Sequence, residues 1–162
     1  MKQREPWNAM NLAKREDIRQ HFPDRKPLYF DVQNLASAME RELPFVDFAF
    51  LMGSGKDGII PSFSDLDLAV YIEAETKADF ECVNRIMSVT EKALGTSIEI
   101  DVGILNSAGC VFRFKALQGH RLFVRPQKMD TYIQFYSYTC SEYEDYMYRI
   151  ARYRNHRQKH MR

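Results

Sequence analysis

Three aspartates and a glycine–serine turn are the residues of this sequence whose types and spacing suggest catalytic chemistry. Gly53 and Ser54 end an apolar run, and ten residues separate them from Asp65, which is followed two positions later by Asp67. A third carboxylate, Asp101, interrupts a later apolar run. Three carboxylates that converge on one patch repel each other, so the arrangement is costly without a cation. Mg²⁺ binds a few carboxylate oxygens together with substrate phosphates, and the set therefore predicts magnesium-dependent phosphate chemistry.

Three predicted β-strands must position these side chains. Residues 45–52 are aromatic and β-branched and are ended by glycine, which is typical of a buried strand. Residues 66–72 form a second strand candidate, and residues 97–105 form a third with Asp101 in its middle. Because strand side chains alternate between faces, the two aspartates at the start of the second strand are expected to point the same way and to share one cation.

The order of these residues carries a family resemblance. Gly53-Ser54, a gap of ten residues and Asp65-x-Asp67 resemble the signature of the DNA polymerase β-like nucleotidyltransferase superfamily. The short domain and the form of its downstream half are most similar to the minimal nucleotidyltransferases (MNT). Those proteins are commonly the antitoxins of HEPN/MNT toxin–antitoxin systems. The resemblance extends from about Pro27 to the end of the predicted terminal helix.

The resemblance implies a role for each matching residue. Asp65 and Asp67 would hold Mg²⁺ against a triphosphate, and Asp101 would complete the metal site and help to deprotonate the attacking hydroxyl. The backbone N–H groups of Gly53 and Ser54, together with the Ser54 hydroxyl, are suited to binding phosphate oxygens. The carboxylates are thus expected to be both catalytic and metal-binding, and the turn to be nucleotide-binding.

The loop after the turn departs from the family pattern. Many minimal nucleotidyltransferases carry an arginine just before the second glycine of this loop, whereas Asp57 precedes Gly58 here. Lys56, one residue earlier, is the candidate for the phosphate-directed charge, since lysine binds phosphate as a point charge. The alternative for Lys56 is a solvated loop lysine. Asp57 is interpreted as a turn residue whose carboxylate repels phosphate.

The remaining pattern predicts an α/β fold with a small mixed β-sheet, flanking helices and a long C-terminal helix. Residues 1–26 are expected to be an appendage with a short helix at 11–21, and residues 27–162 to form the nucleotidyltransferase domain. Capping and periodicity signals predict helices at 31–43, 76–94 and 129–157, a partly helical segment at 107–117 and a short strand at 120–125.

Composition limits the class of protein further. The 162 residues suit one domain, and 45% of them are hydrophobic, enough for a substantial core. The formal net charge is +1, so nucleic acid is not an expected main partner. Three cysteines without metal-ligand spacing are typical of a reducing cytoplasm. The sequence opens without an apolar signal region and has no run as long as a membrane span, which predicts a cytoplasmic protein.

The terminal helix carries an aromatic stripe with two interpretations. Residues spaced by three and four positions place one row of mainly tyrosine side chains along it: Tyr132, Tyr136, Thr139, Tyr143, Tyr146, Ile150 and Tyr153. This row either covers the sheet and the earlier helices or faces a partner, which would be a HEPN-type protein or a second copy of the chain. The basic residues that follow suit a helix C-terminus, or contact with RNA or an acidic partner.

The resulting functional hypothesis is magnesium-dependent transfer of a nucleoside monophosphate. The resemblance implies ATP as donor, AMP as the transferred group and a hydroxyl of a HEPN ribonuclease toxin as acceptor, with this chain as the antitoxin. One alternative is a small-molecule acceptor, as in aminoglycoside nucleotidyltransferases, although these carry an additional helical domain. The other alternative is a non-catalytic antitoxin that binds its partner and blocks it.

Overall fold

A four-stranded mixed β-sheet forms the centre of the computed structural model, which describes residues 26–62 and 64–160. Its strands are β2 (Val46–Leu51), β4 (Leu66–Ile72), β5 (Ile100–Ile104) and β6 (His120–Val124). The strand order is β5-β4-β2-β6, in which β2 is antiparallel to both of its neighbours and β4 is parallel to β5. The predicted α/β class with a small mixed sheet is confirmed.

Four helices cover the two faces of the sheet. They are α1 (Val32–Glu42), α2 (Phe80–Leu94), α3 (Cys110–Leu117) and α4 (Met129–His160). Helices α1 and α2 contribute Leu35, Met39 and Ile86 to a core on one face of the sheet. Helices α3 and α4 contribute Ala116 and Phe135 to a second core on the opposite face. Each face of the sheet is therefore buried by one helix pair.

The helix boundaries follow from local capping. The Asp31 side chain accepts hydrogen bonds from the backbone N–H of Gln33 at 2.8 Å and of Asn34 at 3.3 Å, which confirms it as the N-cap of α1. The predicted start of the second helix at residue 76 was wrong, because Asp79 caps α2 by accepting from the N–H of Cys82. Gly95 ends α2 in the left-handed conformation, as expected.

A two-stranded ribbon beside the sheet was not anticipated. It pairs β1 (Leu28–Tyr29), which precedes α1, with β3 (Ile59–Ile60). Strand β3 lies in the segment that the sequence indicates as a loop between β2 and β4. Ile60 is buried in the core, and the N–H of Phe30 donates to the carbonyl of Gly58 at 3.0 Å. The apolar loop segment therefore packs partly against its own domain. The predicted helix at 11–21 and almost all of the predicted appendage lie outside the described residues.

The long C-terminal helix is confirmed, and it ends at residue 160 rather than near 157. Its aromatic stripe divides into two parts. In the first half, Thr139 is buried and Tyr143 stacks on Phe114 of α3 with ring centroids 3.9 Å apart, whereas Tyr136 is 47% exposed. In the second half, Tyr146 and Tyr153 are 41% and 61% exposed. Within the described part of the chain, no helix is apolar over enough residues to cross a membrane.

Candidate active site

Asp67 and Asp101 lie side by side on neighbouring parallel strands. They are register partners on β4 and β5, one position after the pair Leu66 and Ile100. Paired residues point to the same side of a sheet, and the side chains at alternate positions on these strands share that side. Ala69 and Leu105 belong to the core beneath α3 and α4, so both carboxylates lie on the α3/α4 face of the sheet, at the end where β4 and β5 begin.

The glycine turn lies directly against one of these carboxylates. Gly53 has a φ of +61°, a conformation that favours glycine, and a Cβ atom added to it would collide with Asp67 Oδ2. The N–H of Met52 also donates to the backbone carbonyl of Asp67 at 2.8 Å. Glycine is therefore required here for two independent reasons, its backbone conformation and the approach of the carboxylate.

The pKa of Asp67 shows that Asp65 belongs to the same cluster. Burial raises the pKa of the Asp67 carboxyl, and the negative charges of Asp101 and Asp65 raise this pKa further. Asp65 precedes β4 and is exposed, as is Asp101, whereas Asp67 is half-buried. The structure thus brings together the three predicted carboxylates as mutually repelling charges.

The donor set suits Mg²⁺ only in combination with other ligands. Within residues 26–62 and 64–160, no group of three or more His, Cys, Asp or Glu side chains is arranged to hold a metal ion by itself. Mg²⁺ is usually bound by one or two carboxylates plus waters and substrate phosphates rather than by an all-protein cage. A bound cation would relieve the repulsion by Asp101 and Asp65 that helps to raise the pKa of Asp67.

The phosphate-binding candidates occupy a short 3₁₀ helix, Gly53–Asp57, that follows β2. The side chains of Ser54, Lys56 and Asp57 are exposed. Gly55 is buried against the core. A Cβ atom at this position would lie 3.1 Å from the Leu66 side chain. The turn therefore rests on the core while its polar side chains face outwards.

A comparison of the sequence with protein families agrees with this geometry. The family model described as polymerase beta, nucleotidyltransferase matches residues 33–128, which include the turn and all three aspartates. The chain belongs to the polymerase beta nucleotidyltransferase family. No curated protein matches the sequence significantly.

Solved structures with the same fold come from toxin–antitoxin complexes. An MntA–HpeT toxin–antitoxin complex with two aspartate-to-glutamate substitutions aligns with a TM-score of 0.58 and 18% identity over 80% of this chain and 99% of that chain. A toxin–antitoxin structure with AMP-PNP gives the same four values. A Shewanella oneidensis complex of a tri-AMPylated HEPN toxin with its MNT antitoxin gives 0.53 and 19% over 78% and 96%. At these identities the likeness establishes the fold.

One cation of this nucleotidyltransferase domain that the sequence did not single out also lies on the face of the aspartates. Arg121 of β6 pairs with Phe50, which pairs in turn with Ala69 of β4. Its guanidinium carbon lies 5.7 Å from the ring centroid of Tyr132 on α4, on that same side of the sheet. The strand itself was predicted, but its place beside β2 was not, and that placement puts Arg121 on the face of the aspartates, two strands away from β4.

A second polar cluster lies away from the aspartates. Arg113 of α3 forms an ion pair with Glu142 of α4, and a cavity of about 410 Å³ lies beside it. Tyr71 and Leu105 line this cavity, each four residues further along the chain than Asp67 and Asp101. Since the rise along a strand is about 3.3 Å per residue, the cavity is about 13 Å from the aspartates. The cluster joins α3 to α4 and is separate from the catalytic candidates.

Proposed function

We propose that this chain transfers AMP from ATP to a hydroxyl group of a partner protein and acts as the antitoxin of a HEPN ribonuclease toxin. The observation that carries the proposal is the register pair Asp67 and Asp101, set against the Gly53 turn at one end of the sheet. This arrangement offers carboxylates for a cation and backbone N–H groups for phosphates within one site.

Each candidate residue has a distinct role in this proposal. Asp65 and Asp67 would hold Mg²⁺, which would neutralise the phosphates and stabilise the charge that develops during transfer. Asp101 would complete the metal site and accept the proton of the attacking hydroxyl. The turn and the Ser54 hydroxyl would donate hydrogen bonds to phosphate oxygens, and Lys56 would add a positive charge. Positioning and electrostatics are the main sources of rate enhancement in such a transfer.

The identities of the nucleotide and the acceptor are supported by proteins of the same fold. One such structure contains AMP-PNP, and another contains a HEPN toxin that carries AMP groups in complex with its MNT antitoxin. The present chain covers nearly all of those chains, so no large part of their fold is lacking here. A protein acceptor is accordingly favoured over the small-molecule acceptor of the aminoglycoside-type enzymes.

A partner surface is available on the terminal helix. The second half of α4 exposes Tyr146 and Tyr153, which are 41% and 61% exposed and lie seven residues apart on one face of the helix. Aromatic residues and methionine are enriched at protein–protein interfaces relative to the remaining surface. We assign this surface to the toxin, while a second copy of the chain is the alternative occupant.

The proposal is tested by transfer of label from ATP carrying a labelled α-phosphate, with Mg²⁺ and a host lysate or the purified toxin as acceptor. The unmodified chain should label one protein band, and the Asp67→Asn and Asp101→Asn variants should not. Asp130→Asn is the matched control, because Asp130 is an exposed aspartate in the first turn of α4. The neighbouring Lys128 pairs with Asp47, at the opposite end of β2 from Gly53. Mass spectrometry of the labelled band then identifies the acceptor residue.

The same variants separate catalysis from simple binding. A catalytic antitoxin requires Asp67 and Asp101 to neutralise its toxin in cells, whereas a binding antitoxin would still neutralise the toxin without them. Absence of label with all four nucleoside triphosphates, together with full neutralisation by Asp67→Asn, would refute the transfer reaction and support the non-catalytic alternative.

A further inference from the structure

Phe112 of α3 is an aromatic residue that combines a fixed position with an open surface. A Cβ atom added to Gly103 of β5 would collide with the tip of the Phe112 ring, so the ring rests directly on the strand backbone. Phe112 is nevertheless 36% exposed, and it forms no ring contact with the described residues. By contrast, Phe114 on the same helix stacks on Tyr143 of α4. One aromatic ring of α3 is thus used in packing, whereas the other is available to a ligand.

The Phe112 ring lies beside the carboxylates of the candidate active site. Gly103 follows Asp101 by two residues on β5, so both positions are on the same face of the sheet and about 7 Å apart. Asp67, the register partner of Asp101, lies at the same level on the neighbouring strand. The ring is therefore within reach of a nucleotide whose phosphates are held at the aspartates.

Helix α3 lies between these carboxylates and α4. Phe135 of α4 packs on the rings of Phe48 and Tyr71. Tyr71 is four residues beyond Asp67 on β4, so α4 covers a part of the sheet that is distant from the aspartates. Helix α3 instead rests on Gly103, only two residues beyond the level of the aspartate pair. The side of α3 that faces away from α4 therefore faces the aspartates.

The open surface of Phe112 belongs to that side of the helix. Arg113 pairs with Glu142 and Phe114 stacks on Tyr143, so these two residues of α3 form its side next to α4. Because an α-helix has 3.6 residues per turn, Phe112 points about 150° away from the midpoint between them. Its surface is therefore directed towards the sheet and the aspartates rather than towards α4.

The glycine turn, the aspartates and Phe112 form a row across three strands. The Gly53 turn follows β2, the aspartates lie at the start of β4 and β5, and Phe112 rests on β5, which is an edge strand. At about 4.8 Å between neighbouring strands, the row spans about 10 Å. Its order matches that of a nucleoside triphosphate, in which the α-phosphate lies between the terminal phosphates and the base.

We propose that the base of the nucleotide stacks on Phe112, with the phosphates directed across the sheet towards the Gly53 turn. This inference rests on the proposed nucleotidyl transfer and adds the binding site of the base to it. An aromatic side chain suits this position, because every base has a π-face that can stack on it. Stacking does not read the edge of the base, so Phe112 contributes affinity for the nucleotide and not the choice of ATP.

The test is nucleotide binding without any acceptor, measured by calorimetric titration of the full chain with a non-hydrolysable ATP analogue and Mg²⁺. Phe112→Leu keeps an apolar side chain without the ring and should weaken the Kd for the analogue by about tenfold. Inorganic tripolyphosphate, which has no base, should bind the unmodified chain and Phe112→Leu equally. Phe112→Trp should retain affinity for the analogue, and its new fluorescence should be quenched by the analogue and not by tripolyphosphate.

Phe80→Leu is the matched control, because Phe80 is an 80% exposed phenylalanine at the start of α2, which covers the other face of the sheet. If Phe112→Leu binds the analogue as tightly as the unmodified chain, the inference is overturned while nucleotidyl transfer stands. If Phe112→Leu loses affinity for the analogue and for tripolyphosphate to the same extent, the ring supports the shape of the site, and the inference is also overturned. An unmodified chain that binds no triphosphate would overturn both proposals.

Discussion

The backbone of Gly53 lies directly against the carboxylate of Asp67. The glycine has a φ of +61°, and a Cβ atom at this position would overlap Asp67 Oδ2. The contact joins the end of β2 to the start of β4 and therefore connects the proposed phosphate turn to a proposed metal ligand. A side chain at residue 53 must move the turn or the carboxylate.

Gly53→Ala is accordingly expected to reduce nucleotidyl transfer by about 10²-fold or more, since it displaces groups that act in the transition state. It should also cost about 1–3 kcal/mol of folding free energy, because alanine is strained at positive φ. Gly95→Ala is the matched control: its φ is +69°, and nothing lies within 4 Å of the added Cβ. The control should lose stability and keep activity. Equal activity of the two variants, measured by label transfer at matched folded fractions, would contradict the assignment.

Asp67→Asn should raise the melting temperature of the metal-free protein while it abolishes transfer. The folded-state pKa of Asp67 is raised by burial and by two neighbouring carboxylates, so ionisation of this group opposes folding. Below the unfolded-state pKa of about 3.9, Asp67 is protonated in both states and its repulsion costs the fold nothing. As pH rises through the higher folded-state pKa, the carboxyl ionises in the folded protein and this stability is lost. The advantage of the variant should therefore be largest near neutral pH and shrink towards pH 4.

Thermal melts of both proteins across this pH range, in the presence of a chelator, would measure the difference. Added Mg²⁺ should then stabilise the unmodified protein more than Asp67→Asn. A variant that melts below the unmodified protein at neutral pH without metal would show that Asp67 makes a favourable contact in place of the repulsion.

Arg125 illustrates how much of the fold depends on contacts between distant parts of the chain. Its guanidinium donates to the carbonyls of Glu40, Leu43 and Val46 at 2.6–2.9 Å and so joins the end of β6 to the α1–β2 connection. Arg125→Ala removes these donors, and we expect a loss of about 3 kcal/mol or more in the free energy of unfolding. Urea denaturation measures it, with Arg121→Ala as the control that should change stability little. Similar losses for both variants would contradict this reading.

Local patterns were sufficient for the elements that carry the site. The Asp31 cap, the Gly95 terminus and the strand around Asp67 could be predicted because each depends on neighbours within a few residues. The type and spacing of the three aspartates likewise indicated one cluster.

Strand pairing could not be predicted in the same way. The register of Asp67 with Asp101, the ribbon of β1 with β3 and the placement of β6 beside β2 all join segments distant in sequence. Periodicity indicates which residues share a face of one strand but not which strand lies next to it. Arg121 is an example, since only the pairing of its strand shows that it shares a face of the sheet with the aspartates.

The two halves of α4 should respond differently to mutation. Phe135→Ala removes a side chain that is 7% exposed and packs on Phe48 and Tyr71, so it should cost about 3–5 kcal/mol of stability. A double substitution of Tyr146 and Tyr153 by alanine should lower the melting temperature much less, because these side chains are 41% and 61% exposed. If the second half of α4 binds the toxin, this double variant should weaken the complex by about tenfold or more.

Calorimetric titration with the purified toxin, or with a catalytically inactive form of it, measures that affinity. Light scattering of the isolated chain distinguishes the alternative occupant, because a self-associating surface would give a dimer that the double variant converts to a monomer. Tyr138→Ala is a suitable control, since Tyr138 is an exposed tyrosine in the first half of the same helix. Full toxin affinity in the double variant, together with an unchanged mass of the isolated chain, would place both interfaces elsewhere on the molecule.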